Sequence, residues 1–226
     1  HRSGHSFPTR RSSDLVGMAK NLYNKFSFVK DLFKKSDEIL GLPISKMILN
    51  GPKDDLDLTK NTQPAIFLVS YCIYNMIKLK KENLLNNIKL YAGHSLGEYS
   101  ALAASNSIGF EEALKLLQIR GKSMQSAVPK GQGGMIAVLG TDITNIKEIL
   151  NNNNKKYECF IANDNSVGQV VVSGKTNDIN LFSEDLKKAK IKNIKLQVSA
   201  PFHCKLMSPA TEIMKNEISK TDFKDS

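Results

Sequence analysis

"YAGHSLGEYSAL", Tyr91 to Leu102, sets a serine between two glycines, directly after an apolar run (Ile88 to Ala92) and directly before a helix-forming one. Residues Gly93-His94-Ser95-Leu96-Gly97 read G-x-S-x-G, the pattern of a sharp strand-to-helix reversal with the serine hydroxyl at its apex. A reversal of that kind forces Ser95 into a strained backbone conformation. Side chains at 93 or 97 are expected to collide with neighbouring backbone, so glycine suits both positions. The helix that follows would turn the free amide of Leu96 toward negative charge forming on a bound carbonyl. The pentapeptide also occurs by chance in loops. Its setting between an apolar run and a helix is what favours the functional reading.

Working outward, the pattern from Val16 to Leu40 is helical. Thr62 to Leu79 predicts a mostly buried helix capped by Thr62, with Pro64 in its first turn. A short buried strand is expected at 88–92, then a helix to about Ala104 and another from Phe110 to about Met124. Beyond Gly131, Gly133 and Gly134, which make a plausible hinge near Pro129, the rhythm changes. "MIAVLG" reads as a strand, "DITNIKEILNNN" as a helix, "YECFIAN" and "GQVVVSG" as strands joined by "DNSV", "NDINLFSEDLKKAK" as a helix and "NIKLQV" as a last strand. That β-α-β-β-α-β order is the ferredoxin-like split unit. The expected fold is therefore α/β: a hydrolase-like large subdomain with a parallel sheet and nucleophile elbow, 16–128 and 199–226, carrying an inserted ferredoxin-like small subdomain, 129–198. Residues 1–15, "HRSGHSFPTRRSSDL", lack apolar periodicity and begin without methionine. They are read as a non-native or disordered leader.

With 226 residues, 41% of them hydrophobic, the chain can bury a substantial core. No apolar run approaches the roughly 20 residues that span a bilayer, and no signal-peptide segment is present, so no membrane association and a cytoplasmic location are expected. Cys72, Cys159 and Cys204 are widely spaced and odd in number, which argues for reduced thiols over a disulfide framework or a metal site. The balance of 32 Lys and Arg against 22 Asp and Glu gives +10. Most of that excess is lysine scattered on expected helix faces, without aromatic-studded basic strands, so no nucleic-acid partner is expected.

A serine hydroxyl becomes a nucleophile when a base takes its proton. Of four histidines, His1 and His5 fall in the leader and His94 adjoins the serine, so that its ring points away on an elbow. His203, in "SAPFHCKLM", is the candidate base by elimination. A third group that would orient it is not identifiable: a backbone carbonyl and a carboxylate remain equal alternatives. On the helix from Phe110, the residues Ala113, Leu117, Arg120 and Met124 share one face. Arg120 thus breaks an apolar stripe, and a buried guanidinium is costly unless paired. Three readings stand together: it reaches solvent near the helix end, it pairs with an internal carboxylate, or it faces Ser95 and holds the carboxylate of a substrate.

Taken together, "GHSLGEYSAL", "RGKSMQSAVPKGQGGMIAVLG", "IANDNSVGQVVVSG" and "SAPFHCKLM" resemble the malonyl-CoA:acyl-carrier-protein transacylases and, more broadly, the acyltransferase domains of polyketide synthases. The resemblance runs from about Val16 to the end. It implies that Ser95 is acylated by a malonyl group from malonyl-CoA, that His203 is the general acid/base, that Arg120 binds the malonyl carboxylate and that Leu96 donates an oxyanion amide. By the same resemblance Gln63, Asn165 and Gln169 line the pocket, His94 is among the substrate-binding residues, and Phe202 marks malonyl over methylmalonyl selectivity. The acceptor is the pantetheine thiol of acyl carrier protein, reached by a ping-pong route. The implied protein is a monomer with no cofactor and no metal, since malonyl-CoA is a substrate.

Two departures accompany it. The family's opening "GQGxQ" loop, which supplies a second oxyanion amide, has "FPTRRSSDL" in its place, and the family continues past the equivalent of Asp225 with the carbonyl that orients the histidine. With these two departures the chain is expected to fold poorly or to be much less active than an intact relative, because one oxyanion donor alone is worth about 2.7 to 4 kcal/mol. Two further readings stand beside malonyl transfer: a serine esterase or acylhydrolase, which has no need of Arg120, and an inactive fragment of the transacylase.

Overall fold

The computed structural model describes residues 16–129, 131–196, 198 and 200–225. The expected leader, 1–15, lies outside the described residues. The chain is a mixture of helix and sheet divided into two compact units, one of residues 16–122 and 214–225, the other Ser123–Ile213.

The first unit is helical. Helices α1 (Lys20–Lys25) and α2 (Ser27–Leu40) realise the periodicity from Val16, with a break at Phe26. In α2 the buried residues Val29, Phe33, Ser36 and Leu40 recur at four-three-four spacing, so they fall on one face, and Gly41 at φ 62° ends the helix. Short helices α3 (Ile44–Asn50) and α4 (Lys53–Leu56) lead into α5 (Thr59–Lys80), the longest helix among the described residues. Phe67, Leu68 and Cys72 of α5 pack with Phe33, Ile44 and Ile48 in one core, and each large apolar side chain so enclosed contributes about 1.5–3 kcal/mol. Helices α6 (Gly97–Ala104) and α7 (Phe110–Ser126) follow, the last turn of α7 from Ser123 belonging to the second unit. On α7, Ala113 and Leu117 are fully buried and Met124 is buried.

The second unit carries the sheet. Its elements are β1 (Gly133–Leu139), α8 (Ile143–Asn152), β2 (Cys159–Ser166), β3 (Gln169–Lys175), α9 (Thr176–Lys188) and β4 (Lys192–Lys195), then a short 3-10 turn and the first half of α10 (Ser208–Ser219), whose second half from Met214 belongs to the first unit. Asp142 caps α8 by accepting from the Asn145 backbone N–H. The strand order is β2-β3-β1-β4, antiparallel throughout. Alternation sorts the strands by face. Ile136, Val138, Val170 and Val172 meet Ile146, Ile179, Phe182 and Leu186 of α8 and α9, while Met135, Ala137 and Val171 face the other way and pack with Leu196 and Phe202.

Several expectations need correction. The strand at 88–92 is not formed, and with it the parallel sheet of the larger part: among the described residues the first unit has no strand. A strand exists only by pairing, and no extended neighbour lies beside this segment among the described residues; Leu90 is instead 81% exposed. The long helix starts at Thr59, so Pro64 sits inside it and not in its first turn. Thr62 does not cap it, because its hydroxyl donates to the Leu56 and Leu58 carbonyls at 2.5 and 3.0 Å. The hairpin turns at Val167-Gly168, with Gly168 at φ 80°, so Asp164 to Ser166 belong to β2 and not to a loop. The segment up to Ile213, expected with the larger part from 199 on, packs in the second unit because Ala200, Met207 and Ala210 close on Met124 and Val128.

Candidate active site

Ser95 has φ 56°, one of five non-glycine residues with positive φ among the described residues. Two hydrogen bonds make the reversal tight: the Gly97 N–H donates to the His94 carbonyl at 2.9 Å and the Glu98 N–H to the Ser95 carbonyl at 3.2 Å. The first turn of α6 therefore closes back over the segment that precedes it. A Cβ at position 93 would stand 1.9 Å from the Gly97 carbonyl oxygen and 2.5 Å from the Glu98 nitrogen. Gly93 is thus required by a backbone-to-backbone approach. Gly97 is not required on that ground: a Cβ there meets nothing within 4 Å, contrary to the expected collision. The crowding is one-sided because it is the carbonyl of residue 97, not its Cα hydrogens, that faces Gly93.

That asymmetry makes a sharp prediction. Gly93→Ala loses about 3 kcal/mol, the upper end of ordinary overpacking, since only backbone can yield. Gly97→Ala stays within about 0.5 kcal/mol of the parent. Urea unfolding of both variants checks it, and equal losses would remove the steric account of the elbow.

Around the hydroxyl, α5 and α7 bring two more side chains. The Arg120 guanidinium donates through Nη2 to Ser95 Oγ at 3.1 Å and through Nη1 to Gln63 Oε1. Gln63 is buried on α5, and Arg120 half-buried on α7. The closeness of the two helices depends on a residue that sequence reasoning passed over. A Cβ on Gly121 would lie 2.7 Å from the Lys60 Cα and from the Thr59 carbonyl oxygen, so the bare glycine lets α7 cross the start of α5 at backbone contact. The signal was present as a glycine inside a helical pattern, which usually has a packing reason.

Among the described residues no carboxylate forms an ion pair with Arg120. Burial lowers its pKa from the usual arginine value, and the nearby Tyr99 and Glu98 oppose that shift. Arginine stays protonated regardless, so the result is a guanidinium held beside the serine with donors to spare. Tyr99, the second residue passed over, is buried, and burial raises its phenol pKa while Arg120 works against the rise. Of the three readings of Arg120, the structure has it turned to Ser95.

The Leu96 amide stands at the head of α6, where Leu96 is the N-cap residue at φ −60°. Among the described residues that N–H has no backbone acceptor, as the first amides of a helix do not. His94 is exposed on the rim of the elbow.

The remaining expected residues belong to the second unit. His203 is exposed and has φ 57°. Phe202 is half-buried and packs with Met135, Ala137 and Val171. Asn165 is exposed near the end of β2 and Gln169 is half-buried at the first position of β3, so they flank one hairpin turn. No group of three His, Cys, Asp or Glu among the described residues could hold a metal ion, and no helix there is long and apolar enough to cross a membrane.

Comparison with known proteins sets this geometry in context. Residues 11–225 match the acyl transferase domain family. The malonyl CoA-acyl carrier protein transacylase of Bacillus subtilis strain 168 is 38% identical over 218 residues, 96% of this chain and 68% of the relative. That of Escherichia coli K12 is 34% identical over 214 residues, 94% of this chain and 68% of the relative. Among solved structures, an acyl-carrier-protein S-malonyltransferase from Bartonella henselae superposes with TM-score 0.89 at 38% identity, covering 95% of this chain and 69% of that one. A malonyl-transacylase in complex with its type II PKS acyl-carrier protein superposes with TM-score 0.88 at 33% identity, covering 95% and 69%. The chain spans about two thirds of the length of these relatives.

Proposed function

The chain belongs to the acyl transferase domain family, and on that premise we propose that it carries a malonyl group from malonyl-CoA to the pantetheine thiol of acyl carrier protein, as in fatty-acid synthesis. One observation carries the reading: a guanidinium with no carboxylate partner among the described residues is hydrogen-bonded to the elbow serine. A half-buried cation at the nucleophile suits an acyl group that ends in a carboxylate.

In this mechanism Arg120 receives the malonyl carboxylate as a bidentate partner, which replaces Ser95 Oγ as an acceptor and frees the hydroxyl. Gln63 holds the guanidinium plane. His203 takes the hydroxyl proton as Oγ attacks the thioester carbonyl, and the Leu96 amide stabilises the oxyanion of the tetrahedral intermediate. Collapse breaks the C–S bond, and the imidazolium returns its proton to the CoA sulfur. In the second half the carrier-protein thiol gives its proton to His203 and attacks the malonyl-serine ester, and Ser95 leaves with that proton. Asn165, Gln169 and Phe202 of the second unit and His94 of the elbow are assigned to substrate contact, with Phe202 favouring malonyl over a branched unit.

The finer architecture belongs to the same reading. The β-α-β-β-α-β succession and the β2-β3-β1-β4 order support a ferredoxin-like second unit, and the elbow supports a hydrolase-like first one. Both thiol carriers are substrates, so the chemistry calls for no bound cofactor. The excess of 32 basic over 22 acidic residues suits CoA phosphates and an acidic carrier protein. Three free thiols suit a reducing, cytoplasmic setting.

The test uses radiolabelled malonyl-CoA alone, then with holo acyl carrier protein. The expected result is label on the Ser95 peptide that is chased onto the carrier protein. Label lost to water instead, at the same rate with or without carrier protein, would show a hydrolase and overturn the proposal.

A further inference from the structure

We propose that Ser173 is a positioning residue for His203: its hydroxyl pins the peptide carbonyl just before the histidine and so sets the direction of the ring. The inference rests on the reading of His203 as the base.

Ser173 is fully buried on β3, on the sheet face shared by Val171, Met135 and Ala137. Its Oγ donates to the Phe202 carbonyl oxygen at 2.6 Å. Position 173 directly follows three consecutive valines at 170, 171 and 172, so a hydroxyl there stands out against its surroundings. Buried hydroxyls need a partner, and this one finds it in a loop 29 residues away along the chain.

Four more restraints act on the same loop. A Cβ on Gly133 would lie 2.2 Å from Pro201 Cδ, so β1 and Pro201 are in direct contact. The Cys204 thiol donates to the Pro201 carbonyl at 3.1 Å, and the Met207 N–H to the Cys204 carbonyl at 2.9 Å. The Phe202 side chain is itself packed on the sheet. Both neighbours of His203 are therefore anchored, while His203 is exposed and held at φ 57°. Left-handed backbone is disfavoured for a residue with a Cβ and persists only where the surroundings over-determine it. Ser173 supplies the hydrogen bond to the peptide unit whose rotation would release that conformation. An imidazole has to be aimed to accept a proton from a serine, and small misplacements cost rate steeply.

The experiment compares the parent chain with Ser173→Ala, Ser173→Cys and His203→Ala. The readouts are the His203 ring resonance by NMR, thermal unfolding, and kcat, KM and the acidic limb of kcat/KM against pH for malonyl transfer. Ser173→Ala is expected to broaden or split the His203 resonance, to lower kcat roughly 10²-fold with KM for malonyl-CoA unchanged, and to move the midpoint of the acidic limb. Ser173→Cys keeps the volume and a weak donor and is expected to fall between the two. A His203 resonance and an acidic limb identical to the parent's in a folded Ser173→Ala overturn the proposal. Should Ser173→Ala not fold, a parent-like resonance in Ser173→Cys at parent kcat does the same. Transfer that survives His203→Ala removes the base assignment instead, while the NMR comparison still decides whether Ser173 orders the loop.

Discussion

Ser95→Ala leaves the chain unable to form a malonyl adduct, with transfer to carrier protein reduced about 10⁶-fold, the scale seen when a serine nucleophile is deleted. The substitution is clean because alanine keeps the Cβ. The strain at φ 56° is unchanged, and only the Oγ is lost, along with its hydrogen bond from Arg120 Nη2. Ser95→Gly separates chemistry from strain. It is equally inactive, yet it relieves the left-handed penalty and is expected to gain about 1 kcal/mol of stability. Intact-mass measurement after malonyl-CoA exposure and urea unfolding together check both. An adduct on Ser95→Ala would move the nucleophile elsewhere, and a Ser95→Gly chain less stable than the parent would remove the claim that the elbow stores strain at the site of reaction.

Arg120→Ala has the second largest effect, and it is selective. Malonyl transfer falls by about 3–5 kcal/mol, the loss when one partner of a buried charge pair is removed, which corresponds to two to three and a half orders of magnitude in kcat/KM. An uncharged acyl thioester such as acetyl-CoA gains or holds its rate, since it no longer has to lie against an uncompensated guanidinium. Arg120→Lys recovers little, because an ammonium cannot hold a carboxylate and the Gln63 amide oxygen in one plane. The measurement is the ratio of malonyl to acetyl kcat/KM across the three proteins. A ratio that does not move would make Arg120 a structural cation and leave the selectivity unexplained.

The residues that carry these predictions differ in how plainly the sequence announced them. Gly93 and Ser95 were legible because a tight reversal is a local event: the clash that excludes a Cβ at 93 comes from atoms four and five residues away. Arg120 was legible as a break in an apolar stripe, though its direction was not. That was decided by Gly121, whose missing side chain lets α7 touch the backbone at Thr59 and Lys60, a contact between segments some sixty residues apart. The succession of elements from Gly133 to Lys195 followed from periodicity, because each strand and helix there shows its own apolar face. The strand at 88–92 could not be settled in that way. An apolar run states a preference, and pairing partners elsewhere in the chain decide whether it is met. The return of the chain to the larger part was likewise misplaced, since Ala200 and Met207 read as ordinary apolar residues until their neighbours Met124 and Val128 are known. Ser173 gave no sign at all, because a serine in a valine-rich strand becomes meaningful only with the carbonyl it serves.

Leu90, four-fifths exposed beside the half-covered Ile88, gives the segment before the elbow a social character. Backbone amides and carbonyls without ladder partners, flanked by apolar side chains, are a template for any strand that arrives, including the same segment of another molecule. Lys89 between them supplies a single charge against such self-recognition. Three residues that do no chemistry thus leave an apolar segment without strand partners among the described residues, only a few positions upstream of the serine that does.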